Sequence, residues 1–227
     1  MKTIKLSILV FLITVNYQTL AQDKAIRLYT NFLWYSYSSD YGSSSYSSFG
    51  KITPSFSMNT EKGNFHEFEL TSFSFGKSSS KKYTLDTNTN AMMLISGSNN
   101  NAQIFGVKYE FSLKLLKKST SKLQPYIGFA TNVNFRRSAR NPVLATMFYT
   151  NSTSLYTSFF ITPRLIYNLN EKWFFDFNIP FNLANFGVYR SKYLNPSIPP
   201  NNQVAYSADF KFIPKQFTFK LGVGYKF

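Results

Sequence analysis

Few side chains in this chain have the types and spacing that catalysis requires. His66 is the only histidine of the 227 residues and there is no cysteine, so a base-activated nucleophile would have to be built around His66. It follows the Gly63-Asn64 turn, and its place in an alternating segment puts it on the apolar face. We therefore predict that His66 belongs to an aromatic belt and that the protein is not an enzyme.

A short acidic and amide-rich segment raises the question of metal binding. Asp86-Thr87-Asn88-Thr89-Asn90 has the oxygen-rich start of a calcium loop. Such a loop also needs a glycine directly afterwards and a distal glutamate, and both are missing here. We therefore predict a polar loop without a metal, and no cofactor.

Ten charged residues lie on the polar faces of alternating segments. In a narrow barrel these side chains would point inwards, where a charge must find a partner or ordered water. We predict a structural ion-pair network that plugs the lumen; the alternative is a small gated pore, which would favour anions because bases outnumber acids. The ten residues are Arg27, Lys51, Glu67, Glu69, Lys108, Glu110, Lys114, Arg164, Asp176 and Lys220.

A second basic group lies near the ends of the alternating segments, in or beside long connections. A collar of this kind could bind the phosphates of an anionic outer-leaflet glycolipid. Ordinary solvated loop charge is the alternative. The collar residues are Arg136, Arg137, Arg140, Arg190 and Lys192.

The elements that must position these residues are β-strands, because apolar and polar residues alternate with a period of two and helical periodicity is nearly absent. Aromatic residues make up 19% of the chain, yet its mean hydropathy is slightly negative. Apolar side chains are therefore interleaved with polar ones. Eight segments alternate, although Phe73 and Phe75 break the parity of the third, as a bulge would: residues 26–34, 51–58, 67–75, 105–115, 123–135, 155–168, 173–183 and 216–227.

The connections between these segments alternate between short and long, as in outer-membrane barrels. Long connections are expected near Ser38–Ser48, Ser78–Asn101, Arg137–Thr153 and Arg190–Lys215. We predict an all-β fold, an eight-stranded antiparallel up-and-down transmembrane barrel. Ten strands are the alternative, because residues 204–212 also alternate and 143–149 could pair; in the eight-stranded interpretation both extend hairpins beyond the membrane.

The apolar face could point to lipid, or inwards as in a soluble barrel. Eight strands enclose a lumen barely wide enough for their own side chains, so the many aromatic residues of this face could not fit inside. The small and polar residues of the opposite face could. We therefore expect the apolar face to contact lipid.

The first residues have the pattern of a secretory signal peptide. A basic start, Met1 to Lys5, precedes an apolar run from Leu6 to Val15, and Thr19-Leu20-Ala21 supplies small residues for cleavage. We predict a signal peptide over residues 1–21 and a barrel over 22–227. The formal net charge of +15 becomes +13 without Lys2 and Lys5.

The last strand alternates without a break and ends on an aromatic residue. Three features carry a resemblance: the signal peptide, the Asn-Glu-Lys-Trp turn and the closing segment Lys220-Leu221-Gly222-Val223-Gly224-Tyr225-Lys226-Phe227. In these features the chain resembles the small bacterial outer-membrane β-barrel proteins of the OmpA, OmpX and OmpW types. The resemblance implies an outer-membrane location and recognition by the barrel-assembly machinery. The assembly signal would comprise Phe217, Phe219, Tyr225 and Phe227.

Function follows less directly from these patterns. We expect a structural or cell-surface interaction role, with lipid and glycolipid as partners and a surface protein bound through the loops as a further possibility. A narrow anion-leaning pore is the alternative, and an outer-leaflet lipid-modifying enzyme a more distant one. Nucleic acid is not an expected partner, since the aromatic residues belong to the lipid face.

Overall fold

A computed structural model describes residues 24–39, 42–86, 91–116, 121–143, 148–213 and 216–227. The predicted signal peptide, residues 1–21, lies outside them. Within them, no helix is long and apolar enough to cross a bilayer. The strands are β1 (Lys24–Ser39), β2 (Gly42–Asn59), β3 (Phe65–Asp86), β4 (Ala91–Lys114), β5 (Leu123–Pro142), β6 (Tyr149–Asn168), β7 (Trp173–Asn178), β8 (Phe181–Leu194), β9 (Val204–Phe212) and β10 (Gln216–Lys226).

Eight strands close into an antiparallel ring. Consecutive strands pair from β1 to β7, β7 pairs with β10, and β10 pairs with β1 from Ala25↔Lys226 to Tyr35↔Gln216. β2 and β3 pair with each other only from Ser55↔Glu69 to Asn59↔Phe65, so the ring is complete, without a free edge, over that stretch. The predicted eight-stranded barrel is therefore confirmed.

The two remaining strands continue the ring strands rather than enlarging the ring. β8 follows β7 after a break at Ile179 and Pro180, and β9 leads into β10 through Ile213, whose φ is +46°. Proline cannot donate to a strand ladder, and a positive φ is unfavourable for a β-branched residue, so both features interrupt pairing. β8 pairs with the far half of β6 and with β9. Residues 204–212 thus extend a hairpin, as the eight-stranded interpretation expected.

The expected long loops are largely strand. β3 continues to Asp86 and β4 begins at Ala91, so most of the Ser78–Asn101 connection is a paired hairpin. The β1–β2 and β5–β6 connections are likewise shorter than expected. Residues 77–82 and 96–101 of the β3–β4 hairpin are polar at consecutive positions, so apolar alternation, which was the strand signal used, is absent there. We call this side of the barrel the hairpin end.

The opposite side carries short turns and both ends of the described chain, and we call it the turn end. Residues 60–64 and 169–172 form two of its connections. The amide of Phe227 donates to the carbonyl of Lys24 at 3.0 Å, which ties the last residue to the first described one. The ring strands therefore run from the turn end to the hairpin end and back.

The two faces of the wall are reversed relative to a soluble protein. Large apolar side chains cover the outside, for example Ile52 at 70% and Phe73 at 63% exposure. The inside holds charged and hydroxyl side chains, with a small apolar cluster at the turn end that includes Phe65 and Phe174. A register shift after Leu70 restores the outward position of Phe73, which accounts for its broken parity in the sequence.

Candidate functional site

Register brings like charges into contact inside the barrel. Glu67 of β3 is the direct partner of Glu110 of β4, and Asp176 of β7 pairs with Ile166 and Gly222 on its two sides. Two carboxylates opposite each other repel, so this arrangement needs cations on facing strands. The strands across the lumen supply them.

Arg164 of β6 is the centre of the cluster. Its Nη1 lies 2.5 Å from Glu67 Oε2 and 3.0 Å from Asp176 Oδ2, and its Nη2 lies 2.8 Å from Glu110 Oε1. One guanidinium therefore contacts three carboxylates from three strands. A planar fork with several donors can do this, whereas a lysine ammonium could not match the geometry.

Arg27 of β1 is the second guanidinium of the cluster and lies on its turn side. Its Nη1 lies 3.0 Å from Glu67 Oε2 and its Nε lies 3.2 Å from Asp176 Oδ2. The Tyr29 hydroxyl donates to Asp176 Oδ2 at 2.9 Å and accepts from Arg164 Nη1 at 3.2 Å. The two arginines and two of the acids thus share one hydrogen-bonded unit.

Two lysine pairs lie on the hairpin side of this unit. Lys108 Nζ is 2.5 Å from Glu110 Oε2, and Lys220 Nζ is 2.6 and 2.7 Å from the two oxygens of Glu69. The Thr53 hydroxyl also donates to Glu69, at 2.6 Å. Four cations and four carboxylates therefore form the cluster, and their charges cancel.

Eight of the ten predicted lumen charges belong to this buried, neutral cluster. Lys51 and Lys114 do not. Lys51 is exposed and lines a cavity of about 190 Å³ on the hairpin side of the cluster, while Lys114 is half-buried and lines one of about 160 Å³ on the turn side. The structure thus separates two lysines that the sequence grouped with the others.

Aromatic rings belong to the cluster and were missed as members from the sequence. The Arg27 guanidinium lies 4.5 Å from the Phe65 ring centre and 5.1 Å from that of Phe174, and Arg164 lies 5.0 Å from Phe65. Such contacts favour a desolvated cation. Parity could have revealed Tyr29, which alternates in step with Arg27.

Glycines make room for these large interior groups. A Cβ at Gly128 would contact the Glu110 carboxylate, and one at Gly224 would overlap the Phe174 ring. A side chain at either position would displace a member of the cluster. Small residues on one strand and large ones on its neighbour therefore fill the narrow lumen together.

The basic collar divides into two groups by strand parity. Arg137 of β5 pairs with Thr153 of β6, and Thr153 pairs with Arg190 of β8. These residues lie on the outer face of the barrel, as Phe135 and Leu155 do. Lys192 lies two residues beyond Arg190 on the same face. Arg136 and Arg140 alternate with Arg137 and face the interior side. None of the five side chains is buried.

The outer face near Arg137 and Arg190 carries no described acidic side chain. The strand acids whose side chains the structure describes occupy interior positions, and Glu61 and Glu171 lie in turns at the turn end; these strand acids are Glu67, Glu69, Glu110, Asp176 and Asp209. Neighbouring strands are about 4.8 Å apart, so Arg137 and Arg190 are roughly 10 Å apart at their backbones. We call Arg137, Arg190 and Lys192 the outer basic patch.

The closing strand and His66 lie on the outer face. Phe217 and Phe227 are exposed, Phe219 packs edge-on against Phe177 at 4.5 Å, and Tyr225 packs against Trp173 at 5.0 Å. His66 Nδ1 lies 2.8 Å from the Tyr109 hydroxyl. The partner of His66 in this contact is a phenol, not the carboxylate or hydroxyl nucleophile of a catalytic triad.

No family model matches the chain, and no curated protein matches it. Among solved structures it is similar to Neisserial surface protein A (NspA) at 12% identity and TM-score 0.41, over 90% of this chain and 97% of that one. A major outer membrane protein of Thermus thermophilus gives 12% identity and TM-score 0.48, over 91% and 100%. The outer membrane protease OmpT of Escherichia coli gives 8% and 0.45, over 92% and 98%.

These values describe a likeness of fold, and nothing about activity follows from them. The structures named here include two outer-membrane proteins.

Proposed function

We propose that this protein is an integral outer-membrane barrel with a structural and surface-interaction role, whose lumen is plugged. The observation that carries the proposal is the reversal of the two faces, with apolar side chains outside and a charge-neutral cluster inside. Exposed aromatic surface of this extent is stable only in lipid. A paired and hydrogen-bonded cluster fills the space that ions would need.

Conductance in planar bilayers tests the plug. We expect the refolded full-length barrel to show no single-channel steps above the lipid baseline. Steps that disappear when Arg164 or Lys108 is neutralised would contradict the proposal and favour a narrow pore. Lys62→Gln is the control, because Lys62 is exposed in a turn and its loss leaves the lumen unchanged.

The proposed lipid partner is a phosphorylated glycolipid of the outer leaflet, bound at the outer basic patch. Three cations on the two strands that flank β6, without a described acid on the same face, match closely spaced phosphates. A basic residue near an anionic surface contributes about 1 kcal/mol. Three of them correspond to roughly a hundredfold in affinity.

Lipid discs with and without a bisphosphorylated lipid A test this partner. We expect the triple variant Arg137→Gln, Arg190→Gln, Lys192→Gln to lose most of the preference for the phosphorylated lipid. The matched control, Lys62→Gln, Lys122→Gln, Lys172→Gln, removes the same charge from exposed positions at the turn end. If both triple variants lost the preference for the phosphorylated lipid equally, net charge would explain the effect and the proposed binding at the outer basic patch would be wrong.

During insertion the proposed partner is the barrel-assembly machinery, which would read the closing strand. The outward aromatic residues of β10 support this, since Phe217 and Phe227 remain exposed after folding. The side chain of Phe227 is 60% exposed. It is therefore available to a partner at the turn end.

A further inference from the structure

The cavity on the hairpin side of the charge cluster has the features of a ligand site. It has a volume of about 190 Å³ and is lined mostly by polar side chains, among them Lys51, Lys108, Lys220, Asn31 and Thr218. This volume is far above the roughly 10–15 Å³ that a single water requires, so several waters or a small organic molecule fit. Leu33 and Phe160 supply apolar wall.

The charges that line this cavity do not balance. Glu69 is its acidic residue, and that carboxylate is already bound by Lys220. Lys108 is paired with Glu110. Lys51 remains, and among the described residues it makes no ion pair. The cavity therefore keeps one uncompensated cation beside two paired ones.

Register fixes the direction of Lys51. It pairs with Asn31, which alternates with the buried interior residues Arg27 and Tyr29. Gly50 next to it has a φ of +89° at the register shift, a conformation that suits glycine at a bulge. Beyond the bulge, the positions of β2 that face the interior shift by one residue. Lys51 is therefore the last interior-facing residue of β2 before the shift.

The cavity also holds an acceptor without a partner. Asn31 Oδ1 is buried and makes no hydrogen bond with the described residues, while its Nδ2 donates to Thr53 Oγ1 at 3.4 Å. A water bound beside the anion, or the hydroxyl group of a hydrogen phosphate, would donate to this oxygen. The lining thus offers a free ammonium and a free acceptor together.

The approach to the cavity is positively charged. Arg136 and Arg140 occupy interior-facing positions of β5 nearer the hairpin end, and neither has an ion pair with a described residue. Among the side chains described at that end, the interior acid is Asp209, which accepts a hydrogen bond from the Tyr189 hydroxyl at 3.1 Å. Walls carrying one sign of charge concentrate ions of the opposite sign.

We propose that this cavity binds a small oxyanion, a short carboxylate or inorganic phosphate, with Lys51 as its principal ligand. The neutral cluster beneath the cavity makes it a closed vestibule, so the ion binds without passing through. The proposal goes beyond the structural role, and it depends on the cavity rather than on the outer basic patch.

A chemical-shift titration of the full-length barrel in detergent micelles tests the site. Reductive methylation with ¹³C-formaldehyde keeps the lysine charge and gives each accessible amine its own resonance, and Lys51→Arg identifies that of Lys51. We expect inorganic phosphate and acetate, at constant ionic strength against chloride, to shift the Lys51 resonance along a saturating curve. Glycerol, which is neutral, is expected to leave it unchanged.

Two variants distinguish this cavity from the one at the turn end. Lys51→Gln is expected to weaken anion binding at least tenfold, measured as the loss of phosphate-dependent protection against thermal unfolding. Lys114→Gln, the matched control, is expected to bind as the parent does. A linear Lys51 response equal to that of chloride, or a loss of binding in the Lys114 variant alone, would overturn the proposal.

The outcome is independent of the proposed plug. A barrel that conducts ions and also shows the saturating Lys51 shift would retain the site while contradicting the plugged lumen. A barrel that neither conducts nor shows the shift would contradict the anion site and leave the plugged lumen intact.

Discussion

Tyr29 of β1 occupies the space that Gly222 of β10 leaves open. The two residues are register partners across the seam that closes the barrel, and a Cβ at position 222 would lie 2.5 Å from Tyr29 Cδ1. The Tyr29 hydroxyl then reaches Asp176 at 2.9 Å. The close approach at the seam thus holds the ring against the charge cluster.

Replacement of Gly222 by alanine is expected to destabilise the barrel. The added methyl group must displace a buried tyrosine, and overpacking of this kind costs about 1–3 kcal/mol. Urea-dependent unfolding in lipid vesicles measures the change. Gly76→Ala is the control, because no atom lies within 4 Å of a Cβ built there, and an equal loss in both variants would contradict the packing argument.

Arg164→Met is expected to have a larger effect. It removes the cation that contacts Glu67, Glu110 and Asp176, and leaving buried charges without their partner costs about 3–5 kcal/mol. The free energy of unfolding measures the loss. Arg137→Met makes the same chemical change at an exposed position and is expected to stay within about 0.5 kcal/mol of the parent. A stable Arg164→Met barrel would show that the cluster is not needed for folding.

The β8–β9 hairpin is expected to be dispensable for folding. The ring closes through β7 and β10, and neither pairs with residues 188–208. A chain in which Asn-Gly replaces residues 188–208 should therefore still migrate differently before and after boiling in detergent. Identical migration of the two samples would mean that the hairpin takes part in closure.

Phe227→Ala is expected to slow insertion in cells without changing stability in vesicles. Its side chain is 60% exposed, so its removal takes little packing from the barrel. The fraction of protein in the folded, heat-modifiable form after a pulse of synthesis measures the rate. Phe212→Ala, at 70% exposure outside the ring, is the control, and equal delays would argue against a terminal signal.

The ring could be predicted from the sequence because membrane-facing strands must alternate. Phe105 to Leu115 and Phe217 to Phe227 alternate without interruption, and both are strands at their ring positions. The hairpin extensions could not be predicted in this way. Lys77 to Lys82 is polar on both faces, so its strand pairing depends on backbone hydrogen bonds rather than on an apolar face.

The site was predictable in its members more than in its geometry. Alternation placed Arg27, Glu67 and Arg164 inside, but it could not say that one guanidinium contacts three carboxylates. Alternation also does not tell how far along the barrel axis a side chain lies. Lys51 was therefore grouped with residues that are buried in the charge cluster. The division between Arg136 and Arg137 was available from the sequence, since adjacent residues of a strand face opposite sides.

The charge cluster also constrains the order in which the wall can be completed. Its members come from β1, β3, β4, β6, β7 and β10, and Lys220, on the last strand, is the partner of Glu69 on the third. An incomplete sheet therefore leaves a carboxylate without its counterion, facing a half-open groove that must stay wet. Dehydration of the groove becomes favourable only when the last strand arrives. We therefore expect water to leave the lumen only when the first and last strands of the ring pair, because Lys220 then neutralises Glu69.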